Sequence, residues 1–143
     1  MKRIVCDTNV IVSGLLWKGL PRQVLNRVEQ GKNNLFTSRA LLEELDRVLR
    51  YTKLVSILSK AGLTRYDILR WMVGHATIVM PKPLEHIVIT ADPSDDHILA
   101  CAVSASADVI ISGDKHILAL GKFEGMPIMK PGKFQEQAKP LTR

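Results

Sequence analysis

The chain opens on Lys2-Arg3-Ile4-Val5-Cys6-Asp7-Thr8-Asn9-Val10. A short, continuous apolar run at the start of a chain reads as a strand buried on both faces. Such a strand belongs in the middle of a parallel sheet, and open α/β sheets bind ligands at the carboxyl ends of their strands. Asp7 closes this strand, so the function of the chain turns on which other acids can meet it there.

The remaining pattern supplies the sheet. Residues 10–17 read as a short helix or turn. Leu20-Pro21 opens a second helix, with Pro21 in its first turn, Val24, Leu25 and Val28 as its apolar face, and Gly31 where the helix ends. Residues 34–37 form a second strand. Ser38 caps a helix in which Leu41, Leu42, Leu45, Val48 and Leu49 recur at helical spacing. Two further helical patterns end at Gly62 and start at Thr64, and residues 77–80 read as a third strand, stopped by Pro81 and Pro83. A connector holding Ile87-Val88-Ile89 leads to Asp92-Pro93-Ser94-Asp95-Asp96 and a helix of small residues. Val109-Ile110-Ile111-Ser112-Gly113-Asp114 repeats the opening theme of an apolar strand running into an acid, and residues 127–129 suggest a last strand. Strands alternating with helices predict a central parallel sheet of about four to five strands with helices on both faces. Residues 1–135 read as a single domain and 136–143 as a basic C-terminal tail.

Composition narrows the partners. The 143 residues carry 20 bases against 14 acids, a net charge of +6. Seven of the acids (Asp7, Glu43, Glu44, Asp92, Asp95, Asp96 and Asp114) lie near expected strand ends or helix starts. A basic exterior around an acidic pocket suits a polyanionic substrate together with a cation. No apolar run approaches the ~20 residues of a membrane helix, and the first apolar run is cut short by Asp7, so neither a membrane span nor a signal peptide is expected. Cys6 and Cys101 sit in apolar segments and read as small buried side chains in a reducing cytoplasm.

The acids converge on one chemistry. Asp7 and Asp114 both close apolar strands, so a parallel sheet brings them to the same edge. Asp95 and Asp96 begin the helix that leads into the Asp114 strand, and Glu44 lies early on the helix after the second strand. Glu43 points ~100° away from Glu44 and reads as solvated. Asp92, before Pro93, reads as a turn former. Four carboxylates in one cleft repel one another unless some are protonated or a cation neutralises them, so without a cation at least one should have a raised pKa. Oxygen donors suit Mg²⁺ or Mn²⁺, and carboxylate-held divalent cations are a known solution to phosphodiester hydrolysis. His75, His86, His97 and His116 lack zinc-ligand spacing, and no Gly-rich phosphate loop is present.

Asp7-Thr8-Asn9-Val10, Ser38 through Glu44-Leu45, Asp92-Pro93-Ser94-Asp95-Asp96 with Ala100 and Ala102, and Ser112-Gly113-Asp114 together resemble the PIN-domain ribonucleases, specifically the VapC-related group found as toxin components of toxin–antitoxin systems. The resemblance spans residues 2 to about 130. It implies a PIN-like Rossmannoid fold, an RNA substrate, Mg²⁺ or Mn²⁺ as cofactor, a cognate antitoxin protein and a homodimer. Asp7, Glu44, Asp95 and Asp114 would be the catalytic and metal-binding acids. The family's helix carries an alanine seven residues past its acid, which favours Asp95, with Ala102 in that place, over Asp96 as the alternative ligand. Thr8, Asn9 and Ser112 match positions that support such a site by hydrogen bonds. Arg39, Lys53, Lys115 and Lys122 are candidate contacts to nucleic acid, set against the plainer alternative that they are solvated. The apolar regions at Leu15-Leu16-Trp17 and at Val55, Ile57 and Leu58 are candidate interfaces for the second copy or the antitoxin. Two alternatives remain open at this level, a structure-specific DNA nuclease and a non-catalytic RNA- or protein-binding module.

Overall fold

The computed structural model describes residues 1–84, 86–89 and 95–138. In chain order its elements are β1 (Lys2–Cys6), α1 (Thr8–Leu16), α2 (Leu20–Glu29), β2 (Asn33–Ser38), α3 (Arg39–Val48), α4 (Thr52–Lys60), α5 (Arg65–His75), β3 (Ala76–Val79), α6 (Asp96–Ala105), β4 (Val109–Ile111), α7 (Lys115–Leu118), β5 (Lys122–Phe123), β6 (Met126–Met129) and α8 (Pro131–Ala138). The strands form one sheet in the order β3-β2-β1-β4-β6-β5, with β1 near its middle as the opening run requires. Every pairing is parallel except β5 with β6.

The strand count exceeds the expected four to five because of that last hairpin. Only Lys122 and Phe123 make up β5, too few residues to show an alternating pattern. Glu124 and Gly125 join it to β6 with φ of 47° and 82°. Two successive positive φ values match the twist of a tight two-residue hairpin. Helix α8 runs through to Ala138, across the boundary expected between residues 135 and 136.

Side-chain alternation divides the core in two. Ile4, Cys6, Leu35, Val109, Ile111 and Met129 face one layer, against α1 to α5 and α8. Val5, Phe36, Ile110 and Ile128 face the other, against α6 and Ile117 of α7. Strand residues that alternate between two apolar layers leave no wet face, which is why the strands read as continuous apolar runs. In α6, Ala100, Cys101, Ala102 and Ala105 are buried, so the helix is thin where it meets the sheet. Both cysteines are free and buried, and burial lifts both thiols well above their ordinary pKa, Cys101 to about 12. Neither is a thiolate nucleophile.

Helix starts follow local chemistry. Ser38 Oγ accepts from the Leu41 amide at 3.3 Å. Thr64 and Asp67 form a reciprocal capping box at the head of α5. Between α1 and α2, Gly14 lets the second helix approach. A methyl at this position would stand 2.6 Å from Leu25 Cδ1 and 2.9 Å from the Pro21 carbonyl oxygen. Alanine is the better helix former by about 1 kcal/mol, but overpacking against backbone costs about 1–3 kcal/mol. Gly14→Ala is therefore expected to lower stability by about 1 kcal/mol, measured by urea unfolding, with an unchanged m-value.

The two apolar regions proposed as interfaces are each split by the fold. Leu15 and Leu16 pack partly into the core while Trp17 is 49% exposed. Leu58 is buried while Val55 is 51% exposed. Among the described residues no helix is long and apolar enough to cross a membrane.

Candidate active site

The sheet order creates the site. After β3 at one edge, the chain crosses back past β2 and β1 to lay down β4, so β1 and β4 are neighbours whose chains leave toward opposite sides. A crevice opens at such a switch point, beyond the carboxyl ends of the strands. Asp7 follows β1 there, and Ser112, Gly113 and Asp114 follow β4. The Asp7 amide donates to the Ile111 carbonyl at 3.1 Å, which ties the two strand ends together.

Asp7 is held from several sides. It is the N-cap of α1, with Oδ1 accepting from the Val10 amide at 2.9 Å. Oδ2 accepts from the Ser112 hydroxyl in a short hydrogen bond. Burial raises the pKa of Asp7, and the charge of Asp114 adds to the rise; bonds from Ser112 and the amides of Val10 and Gly113 oppose it. Ser112 is fully buried, and its Oγ also accepts from the Asp114 amide at 3.0 Å. One hydroxyl thus links the two strand-end acids.

Asp114 caps the short helix α7, with Oδ1 accepting from the amides of His116 at 2.8 Å and Ile117 at 3.2 Å. Glu44 reaches the same region from α3, where its Oε2 accepts from Thr8 Oγ1 at 3.0 Å. Glu43 is exposed, with its carboxylate 3.8 Å from Arg39, as the helical spacing requires. Asp95 directly precedes α6. A cleft of about 430 Å³ is lined by Asp7, Thr8, Asn9, Leu41, Glu44, Val48, Asp95, Ile98, Asp114, His116 and Ile117.

All four acids expected from the sequence meet in this cleft, with Thr8 and Asn9 on its wall and Ser112 bonded to Asp7 behind it. Asp96 is absent from the lining. Its carboxylate accepts instead from the amides of Val88 and Ile89 in the connector, each at 2.8 Å. Asp92 lies outside the described residues. Of the candidate nucleic-acid contacts, none lines the cleft. Arg39 is exposed and faces Glu43, Lys53 is exposed on α4, Lys115 is exposed beside Asp114, and Lys122 is exposed on the edge strand β5. The apolar wall was not singled out from sequence as part of the site, and His116 was read as a neighbour of Asp114 able to assist it but better placed at the surface. The signal for the wall was present: Leu41 and Val48 flank Glu44 at three and four residues, Ile98 follows Asp95 by three, and Ile117 follows Asp114 by three. Each acid on a helix, or at its start, carries an apolar neighbour on the same side.

Among the described residues, no three Asp, Glu, His or Cys side chains converge into a finished cation cage. Asp7 accepts from Val10 and Ser112, Glu44 Oε2 from Thr8, and Asp114 Oδ1 from the amides of α7. Among the described residues the lining offers four carboxylates, a hydroxyl and an amide, the hard oxygens that Mg²⁺ and Mn²⁺ take, beside the His116 ring and with no Lys or Arg.

A profile of the PIN domain family matches residues 3–116, from the first strand through all four acids. The chain belongs to the PIN domain family. PIN domains are nucleases and generally use divalent metals, and the mixed α/β architecture with a mostly parallel sheet is that of the PIN fold. Among solved structures, the chain is similar to one titled FitAcB, from Neisseria gonorrhoeae, with a TM-score of 0.53 and 19% identity over 90% of this chain and 98% of that one. A search of curated proteins gave no match.

Proposed function

We propose that this PIN domain is a Mg²⁺- or Mn²⁺-dependent endoribonuclease acting in the cytoplasm as the toxin of a toxin–antitoxin pair. The observation that carries the proposal is the meeting of Asp7, Glu44, Asp95 and Asp114 in one cleft, whose lining among the described residues includes no Lys or Arg. These four acids would hold the cation, with Thr8 orienting Glu44, Ser112 orienting Asp7, and Asn9 on the wall as a further oxygen donor. A bound divalent cation supplies the charge that activates water and stabilises the leaving oxygen. In such a hydrolysis the hydroxyl of water would add to phosphorus as the P–O bond to the ribose oxygen breaks, its proton would end on that leaving oxygen, and no covalent enzyme intermediate would form. The apolar walls of Leu41, Val48, Ile98 and Ile117 reduce the local dielectric, which strengthens charge interactions with the scissile phosphate.

The net charge of +6 supports a polyanionic substrate. An antitoxin partner follows from the resemblance to VapC-type toxins, and Trp17 and Val55, both about half exposed, are candidate contacts for it or for a second copy of the chain. Purified protein is expected to cleave single-stranded RNA with Mn²⁺ present and to lose the activity in EDTA. Cleavage that persists in EDTA would overturn the metal mechanism, and preference for branched DNA over RNA would overturn the substrate. Solution scattering is expected to give a dimer, against which a monomer at high concentration would count.

A further inference from the structure

We infer that Asp96 is a positioning residue, which clamps the connector onto the head of α6 and thereby holds its neighbour Asp95 in the cleft. The inference rests on the metal-site reading of Asp95. Asp96 opens α6, where a carboxylate ordinarily serves the free amides of its own first turn. Here both of its oxygens serve a different segment. Oδ2 accepts from the Val88 amide and Oδ1 from the Ile89 amide, each at 2.8 Å.

The connector needs such a partner. Residues 86–89 belong to no helix or strand, yet Ile89 is 4% exposed and sits in the core layer of α6. A buried amide without an acceptor is costly, and among the described residues no sheet neighbour supplies one. A carboxylate accepting from two consecutive amides fixes both position and direction, because two parallel bonds leave little freedom of rotation. Consecutive residues at a helix start point ~100° apart. Turning Asp96 toward the connector therefore directs Asp95 elsewhere, and Asp95 lines the cleft.

The test compares wild type, Asp96→Ala, Asp96→Asn and Asp95→Asn in two measurements. The first is hydrogen exchange at the amides of Val88 and Ile89. The second is the Mn²⁺ concentration at the midpoint of thermal stabilisation. In Asp96→Ala both amides are expected to exchange faster, and the Mn²⁺ midpoint to rise ~10- to 100-fold, the scale seen when groups that orient metal ligands are removed. Asp96→Asn keeps one acceptor oxygen and is expected to fall between Asp96→Ala and wild type in both measurements. It also gives the graded readout if the alanine variant folds poorly. Faster exchange with an unchanged Mn²⁺ midpoint would make the clamp merely structural and overturn the inference. Unchanged exchange would overturn the clamp itself. Loss of the Mn²⁺ response to the level of Asp95→Asn, with the amides still protected in Asp96→Asn, would make Asp96 a ligand and overturn it as well. If wild type shows no Mn²⁺ response at all, the metal reading fails and the inference falls with it. A wild-type response that Asp96→Ala retains in full removes only the inference.

Discussion

Asp7→Asn is expected to lower RNA cleavage ~10²- to 10³-fold, the scale of losing one group that stabilises charge in a transition state, while raising the melting temperature in EDTA. The two effects share a cause. Asp7 is buried beside Asp114, and both burial and that charge raise its pKa. Asparagine keeps an acceptor for the Val10 amide that caps α1 and removes the charge. A gain of about 0.5–2 kcal/mol is the usual size of such a trade between function and stability.

The pH dependence carries the same sign. A carboxylate whose pKa is raised on folding binds its proton more tightly in the folded chain. Without metal, the penalty for its charge is full above the raised pKa. It shrinks as pH falls through that value and vanishes below the unfolded value near ~3.9. Over that window wild type should gain stability relative to Asp7→Asn on acidification. Melts of both proteins across the acidic range, in EDTA and in Mn²⁺, measure this. A variant that melts lower than wild type in EDTA at neutral pH would show that the carboxylate is a structural cap.

Ser112→Ala is expected to cost about 1–3 kcal/mol, the scale for leaving a buried polar group unpaired. Two groups lose their partner at once, Asp7 Oδ2 and the amide of Asp114. The Ser112 bond opposes the rise in the Asp7 pKa, so its loss pushes that pKa higher and moves the acid limb of activity to higher pH. Denaturant unfolding gives the first effect and a pH–rate profile the second. In an Asp7→Asn background the stability cost should shrink, because the charge that needed the hydroxyl is already gone. Equal costs in both backgrounds would mean that Ser112 acts through packing alone.

The parts of the site that follow strands were legible in sequence. Ile4-Val5-Cys6 before Asp7 and Val109-Ile110-Ile111 before Asp114 announce buried strands ending in acids, and parallel pairing does the rest. Helical geometry showed only that one of Glu43 and Glu44 can face the cleft, and the resemblance to the PIN domains chose Glu44. Helical geometry alone did not separate Asp95 from Asp96, since the ~100° between neighbours states that they diverge but not which way; Asp95 was favoured only through the resemblance, by the place of Ala102. The direction is set by the Val88 and Ile89 amides, in a connector that follows no period. The hairpin of β5 escaped because two residues carry no periodicity, leaving Glu124-Gly125 as its sole local trace. His116 stood out only as a residue beside an acid; its place on the cleft wall comes from the turn of α7.

The bond from Ser112 to Asp7 spans 105 residues of chain. Synthesis proceeds from the N-terminus at about 5–20 residues per second, so Asp7 is made first and waits several seconds for its partner. Until β4 emerges and docks beside β1, the chain has neither Ser112 nor Asp114 in place. On the proposed reading of this cleft as an RNA-cutting centre, an incomplete polypeptide on the ribosome therefore lacks that centre. Chains truncated before residue 112 should be harmless however abundant they are, and competence should appear as a step when the fourth strand is added.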